Sequence, residues 1–203
     1  MTDGETYDAL IQRSDDFVRS HLSDKRYGHT RRVTETAGRL ASRYGIDVDK
    51  TSLSGLLHDV AREVEKGELL RLAGEWNLPV GEPELESPML LHGPVAAEIA
   101  RRELGIEDEE VLEALRVHTT GVPEMGPVAL AVFVADAIEP GRDYPSVDRL
   151  RELAKQDLYE TAAEALRRDI AHNEERGRMV HPASRKALRW LETLLEESAQ
   201  RRI

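Results

Sequence analysis

The sequence predicts an all-α protein. Three observations carry the prediction. Apolar residues recur at three- and four-residue steps along most of the chain. Capping residues stand where such segments would begin, and glycines stand where they would end. No alternating strand pattern survives comparison with the helical one.

Leu10, Ile11, Phe17, Val18 and Leu22 outline a first helix from about Thr6 to His21. Ser23 can cap a second, which runs to Tyr44 and stops at Gly45. His29, Val33, Thr36 and Leu40 share the inward face of that helix. A third helix is expected from Asp49 to Val64, with Leu53, Leu56, Leu57 and Val60 buried and His58-Asp59 near its last turns. After Gly67 a short helix carries Leu69, Leu70, Leu72 and Trp76 and ends near Asn77. Leu78 to Pro88 contains Pro79 and Pro83 as well, and it reads as a loop able to shape a pocket.

Pro94 suits the first position of a helix that runs to Leu104 and is closed by Gly105. A helix begun at Glu107 or Asp108 places Val111, Leu115 and His118 on one stripe. Val128 to Ile138 follows Gly126-Pro127 and is apolar almost all round, as a central buried helix should be. Asp136 on that helix must be paired or bound to a cation, because burying it bare is costly. Pro140 ends the segment. Three more helices are expected, over Ser146–Ala154, over Leu158–Asn173 and from Pro182 onward, broken at Gln156-Asp157 and at Gly177. An exposed apolar stripe expected on the last helices could make a homodimer.

A chain of 203 residues is long enough for one domain with a sizeable core, and residues 1–203 are read as such. Aromatics are 4% of the chain, so aliphatic side chains must fill that core. The net charge of -11 argues against nucleic acid or an anionic membrane as partner, both of which need basic patches. With no cysteine, neither disulfides nor a thiolate site can form. The start, Met1 to Asp8, is acidic and polar, unlike a signal peptide. No apolar run reaches the length of a membrane span. A cytoplasmic protein is expected.

The chemistry concentrates in four histidines and two aspartates at helix ends or on apolar helices: His29, His58, Asp59, His92, His118 and Asp136. Neutral imidazole and carboxylate together suit divalent iron, manganese, zinc or cobalt. One aspartate can bridge two such ions, about 3.5–4 Å apart. Two divalent ions with Asp59 and Asp136 leave about +2 at the site, a local excess that would draw phosphate oxygens despite the acidic surface. Water shared by two metals loses a proton near neutral pH and becomes a nucleophile. In-line attack on phosphorus then needs no serine or cysteine. A lone histidine on a helix is usually a satisfied core residue; His21, His172 and His181 are read as ordinary residues at helix ends, with a place near the site as the alternative for His181. Four together in this context are read as ligands.

His29, then His58-Asp59, then Asp136 resembles the H…HD…D signature of the HD-domain metal-dependent phosphohydrolases. Arg26-Tyr27-Gly28-His29-Thr30, Leu91-His92-Gly93, His118-Thr119-Thr120-Gly121 and Asp136-Ala137-Ile138-Glu139-Pro140-Gly141-Arg142 resemble more narrowly the symmetrical diadenosine-tetraphosphate hydrolases of bacteria (the YqeK type). The similarity runs over about 16–182, with a C-terminal helix after it at about 182–199. The resemblance implies a helical HD bundle around a buried binuclear centre, with iron as the metal. It implies one ion on His29, His58, Asp59 and Asp136, and a second on Asp59, His92 and His118. It implies diadenosine tetraphosphate as substrate and two ADP as products. Asp59 and Arg62 are then the catalytic candidates, Arg62 standing where lysine is common. Arg26, Thr119, Thr120 and Arg142 are candidates for phosphate contacts, and Glu139 for a support behind a ligand histidine. Tyr27 and Tyr144 are read as packing residues before adenine platforms. The rival expectations are an HD hydrolase of another nucleotide, and a non-catalytic nucleotide-sensing domain.

Overall fold

The computed structural model describes residues 6–201. The acidic start before residue 6 and Arg202 of the charged carboxyl end, both noted in the sequence, lie outside the described residues. Among the described residues there are eleven α-helices, one 3-10 turn and no strand.

α1 (Tyr7–His21) begins at Thr6, whose side chain accepts from the Ala9 amide. α2 (Asp24–Tyr44) is capped by Ser23, whose hydroxyl accepts from the Arg26 amide, and it stops at Gly45 in the left-handed conformation. α3 (Val48–Leu57) is capped by Asp47 and ends seven residues short of Val64. From His58 onward the amides of Val60, Arg62 and Val64 bond the carbonyls of Leu57, Asp59 and Ala61, so the chain advances as tight turns. Val60 and Ala61 are buried on either course, which is why apolar spacing could not tell turn from helix.

α4 (Lys66–Glu75) follows as expected. The proline-rich stretch expected as a loop contains α5 (Glu82–Glu86) and a 3-10 turn over Pro88–Leu91. α6 (His92–Leu104) begins two residues before Pro94, where a missing amide hydrogen costs nothing. α7 (Glu109–Val117) leaves His118 as its C-cap residue. α8 (Pro127–Ile138), α9 (Val147–Leu153), α10 (Leu158–Glu175) and α11 (Pro182–Gln200) complete the order.

α8 is the axis of the molecule and packs against α2, α3, α7, α9 and α10. Val132 and Val134 on it are 0% exposed, as its all-round hydrophobicity demands. Two apolar clusters result. One joins α8 to α2, α9, α10 and α11, and the other joins α1, α3, α4, α6 and α7. Each fully buried leucine contributes about 1.5–3 kcal/mol. On the last helix, Leu188, Trp190 and Leu195 are partly buried against the first cluster. No helix among the described residues is long and apolar enough to cross a membrane.

Candidate metal centre

The six residues singled out in the sequence converge where the ends of α3, α6 and α7 meet α2 and α8. His58 follows Leu57, the last residue of α3; His92 opens α6; His118 follows Val117, the last of α7. His29 comes from the inner face of α2 and Asp136 from α8. Four of them, His29, His58, Asp59 and His118, have ligand atoms that group with Asp136 into two triads, each within 4.8 Å: His29, His58 and Asp136, and His58, Asp59 and His118. The imidazole rings lie edge to face, with centroids 5.5 Å apart for His29 and His58, 5.0 Å for His58 and His118, and 4.8 Å for His92 and His118.

Each ring is turned by its outer nitrogen. Nδ1 of His58 lies 2.7 Å from the Gly55 carbonyl, that of His92 2.5 Å from Met89, and that of His118 2.9 Å from Leu115. A carbonyl only accepts, so Nδ1 carries the proton and the neutral ring presents a lone pair at Nε2. The carboxylate of Glu139 does the same for His29, 3.1 Å from its Nδ1. Glu139 is itself 2% exposed and also accepts from Arg32 Nε and the Gly141 amide, each at 2.5 Å.

The Nε2 atoms of His92 and His118 are 2.9 Å apart. Those of His29 and His58 are buried without a hydrogen-bond partner. Inward lone pairs crowded this closely repel unless a cation stands among them, so the donor set fits divalent metal binding. Asp59 lies across the middle. Its Oδ2 is 3.4 Å from His58 Nε2 and 3.6 Å from His29 Nε2, and its Oδ1 is 3.3 Å from His92 Nε2 and 3.9 Å from His118 Nε2.

Electrostatics keep Asp59, His118 and Asp136 in ligand form and work the other way at His58. Burial, together with His92 and His58, pushes His118 down to about 3. Burial favours a protonated Asp59, but the surrounding imidazoles prevail and hold its carboxyl well below the usual range. Burial likewise works against the Asp136 carboxylate, and the nearness of His29, with Nε2 3.1 Å from Oδ1, and of Arg142 outweighs it. For His58, burial favours the neutral ring and Asp59 reverses the balance, raising its pKa.

Above the centre is a cavity of about 270 Å³ lined by Arg26, Arg62, Thr119, Arg142, Arg168 and Asp169, among others. Arg26 donates to Asp59 Oδ2 at 2.9 Å, and Arg142 bonds both the carboxylate and the carbonyl of Asp136. Arg62 has no carboxylate partner among the described residues. Thr119 Oγ1 lies 3.3 Å from His92 Nε2 and 3.2 Å from His118 Nε2. Thr120, grouped with Thr119 in the sequence, instead faces a neighbouring cavity. Tyr144 is covered by the Arg168 guanidinium 3.6 Å above its ring, and Tyr27 is bonded to Asp15. Arg168 and Asp169 escaped the sequence reading. They sit in the polar face of α10 amid other charged residues, where nothing local distinguishes them from solvated side chains.

Residues 26–141 match the HD domain family. The chain is 44% identical over 141 residues to the symmetrical bis(5'-nucleosyl)-tetraphosphatase of Halalkalibacterium halodurans, covering 70% of this chain and 75% of that protein. It is 34% identical over 174 residues to the Bacillus subtilis protein of the same name, covering 86% and 93%. Among solved structures, it is similar to a predicted HD superfamily hydrolase involved in NAD metabolism from Clostridium acetobutylicum, with a TM-score of 0.87, 32% identity, and coverage of 93% and 98%.

Proposed function

We propose that this chain, which belongs to the HD-domain family and within it to the symmetrical bis(5'-nucleosyl)-tetraphosphatases, hydrolyses diadenosine tetraphosphate to two ADP. The observation that carries the reading is the division at Asp59, with one carboxylate oxygen toward His29 and His58 and the other toward His92 and His118. That disposition suits a bridge between two ions. We assign His29, His58, Asp59 and Asp136 to one divalent ion and Asp59, His92 and His118 to the other. We assign iron, with manganese, cobalt and zinc suited to the same donors. When bound, the pair supplies Lewis acidity and generates the nucleophile at neutral pH.

The chain's own residues do the rest. Arg26, Arg62, Arg142 and Arg168 bring four positive charges to the cavity against three from Asp59, Asp136 and Asp169. The lining is therefore one unit positive before any ion binds, inside a protein of net charge -11. A tetraphosphate is drawn there despite the acidic protein around it. Arg62, with no carboxylate partner among the described residues, is assigned to neutralise charge that gathers on the phosphoryl oxygens during transfer. Thr119 offers a hydroxyl beside the ligand histidines. Water oxygen bonds to the phosphorus beside the central bridging oxygen, that P–O bond breaks, and ADP departs with the electron pair. The water's second hydrogen leaves as a proton, and a diphosphate remains on each nucleoside.

Products decide the reading. Protein purified without air or chelator should convert one diadenosine tetraphosphate to two ADP, resolved by ion-exchange chromatography, and a chelator should stop turnover. Release of AMP with ATP would refute symmetrical cleavage.

A further inference from the structure

A second cavity, of about 580 Å³, adjoins the metal cavity and shares Thr119 and Asp169 with it. We infer that this neighbouring cavity is the subsite for one nucleoside of the substrate, so that the two halves of a symmetrical molecule are held unequally. The inference rests on the phosphohydrolase reading and deepens it.

The two compartments differ in chemistry. The smaller one is walled by arginines and by the carboxylates of the centre, which suits phosphate. The larger one has apolar walls from Leu90, Leu166, Ile170, Met179 and Val180, which suit the face of a purine. Polar side chains line it as well, and two of them are already held in place. The Asn173 side-chain amide donates to the Asp169 carbonyl at 2.8 Å, and His181 is fixed by Glu84 at 3.0 Å and by the Ala183 amide at 3.1 Å. Such a mixture of apolar wall and oriented polar group reads the edge of a base or a ribose hydroxyl. The volume suits a nucleoside and exceeds what a phosphate needs. The His181–Glu84 pair ties the start of α11 to α5 across the rim, so two segments distant in sequence close one mouth. Thr119 and Asp169 stand at the junction, where the polyphosphate would leave the metal cavity. The tyrosines near the centre are already covered or bonded, which leaves the base this compartment.

The test is binding of ADP against binding of inorganic pyrophosphate, by calorimetry on metal-loaded full-length protein of matched metal content. The parent protein should bind ADP at least tenfold more tightly than pyrophosphate. Ile170→Trp fills the cavity from its floor, and Ser184→Phe fills it from the rim. Each should shrink the ADP advantage to within twofold. Ser184→Phe decides the matter where the floor variant does not fold. An unchanged ADP advantage in Ser184→Phe overturns the inference, as does a parent protein that binds both ligands alike. Neither result requires turnover, so failure of this subsite and failure of the hydrolase reading are told apart by the product analysis.

Discussion

At the scale of single residues, the centre is governed by what stands behind each ligand. Glu139 gathers His29 Nδ1, Arg32 and the Gly141 amide on one buried carboxylate. It both fixes the tautomer of His29 and makes the ring a stronger donor. Glu139→Gln keeps the shape and removes the charge. It should weaken the ion assigned to His29 by about 10–100-fold, read by competition with a chelator of known affinity; unchanged affinity in the folded variant would contradict the assigned support. Proton linkage acts on the same residues. His118 falls from 6.5 to about 3 on folding, and Asp59 and Asp136 fall below 3.8. In each case the unfolded chain binds the proton more readily, so stability drops as pH falls. His118 acts below 6.5, and the aspartates add to it below 3.8. His58, whose pKa is raised, has the opposite sign: its contribution is full below 6.5 and is lost as pH rises through its folded value. The two histidines therefore act on opposite sides of 6.5, His58 above it and His118 below it, where stability falls steadily as pH drops. Thermal melts of chelator-treated protein should show Tm falling steadily once pH drops below about 6.5, with a collapse toward pH 3.5. A flat profile across that last interval would contradict the buried carboxylates.

At the scale of elements, the histidines meet because helices approach unusually closely at two glycines. A Cβ on Gly93 would stand 2.8 Å from the Leu115 carbonyl and 3.1 Å from that of Arg116. The start of α6 therefore rests on the backbone at the end of α7, which brings His92 to His118. A Cβ on Gly55 would stand 3.1 Å from Thr34 Cα, so α3 lies against α2 and His58 reaches His29. Gly93→Ala should cost about 1–3 kcal/mol of stability and loosen the ion assigned to His92 and His118. Gly74→Ala on α4, where a Cβ meets nothing within 4 Å, should be neutral or stabilising by about 0.4–1 kcal/mol. Equal effects at the two positions in denaturant titrations would remove the close-approach argument. The sequence offered Gly93 beside His92, but the α7 carbonyl it must clear lies 22 residues further on, beyond the reach of local pattern. The end of α3 was misjudged for a related reason. Val60 and Ala61 stay buried whether the chain turns or continues as helix, so apolar spacing carried no information about the change.

At the scale of the whole molecule, the centre lies between two apolar clusters and is assembled from five helices' worth of chain. Ions that bind only the assembled site stabilise the fold by mass action, by about 2.7 kcal/mol per site at a hundredfold excess over Kd. For a chain of this size that corresponds to a Tm shift of about 5–10 °C per site. Differential scanning calorimetry with and without chelator should show a loss of at least that size. Identical melts would place the ions, if bound, outside the cooperative core.

The sequence alone determined the helical class, most helix starts, the centrality of α8 and the identity of the six ligand candidates. Each of these depends on residue type and on spacing within one segment, and helical periodicity and capping act over a few residues. Tertiary structure decided which oxygen of Asp59 faces which histidines, that Glu139 backs His29, that Arg168 and Asp169 wall the site, and that Thr119 lines both cavities while Thr120 lines only the larger. Those relations join residues 27 to 110 positions apart. Their distances are set by how whole helices pack, and no local spacing encodes that.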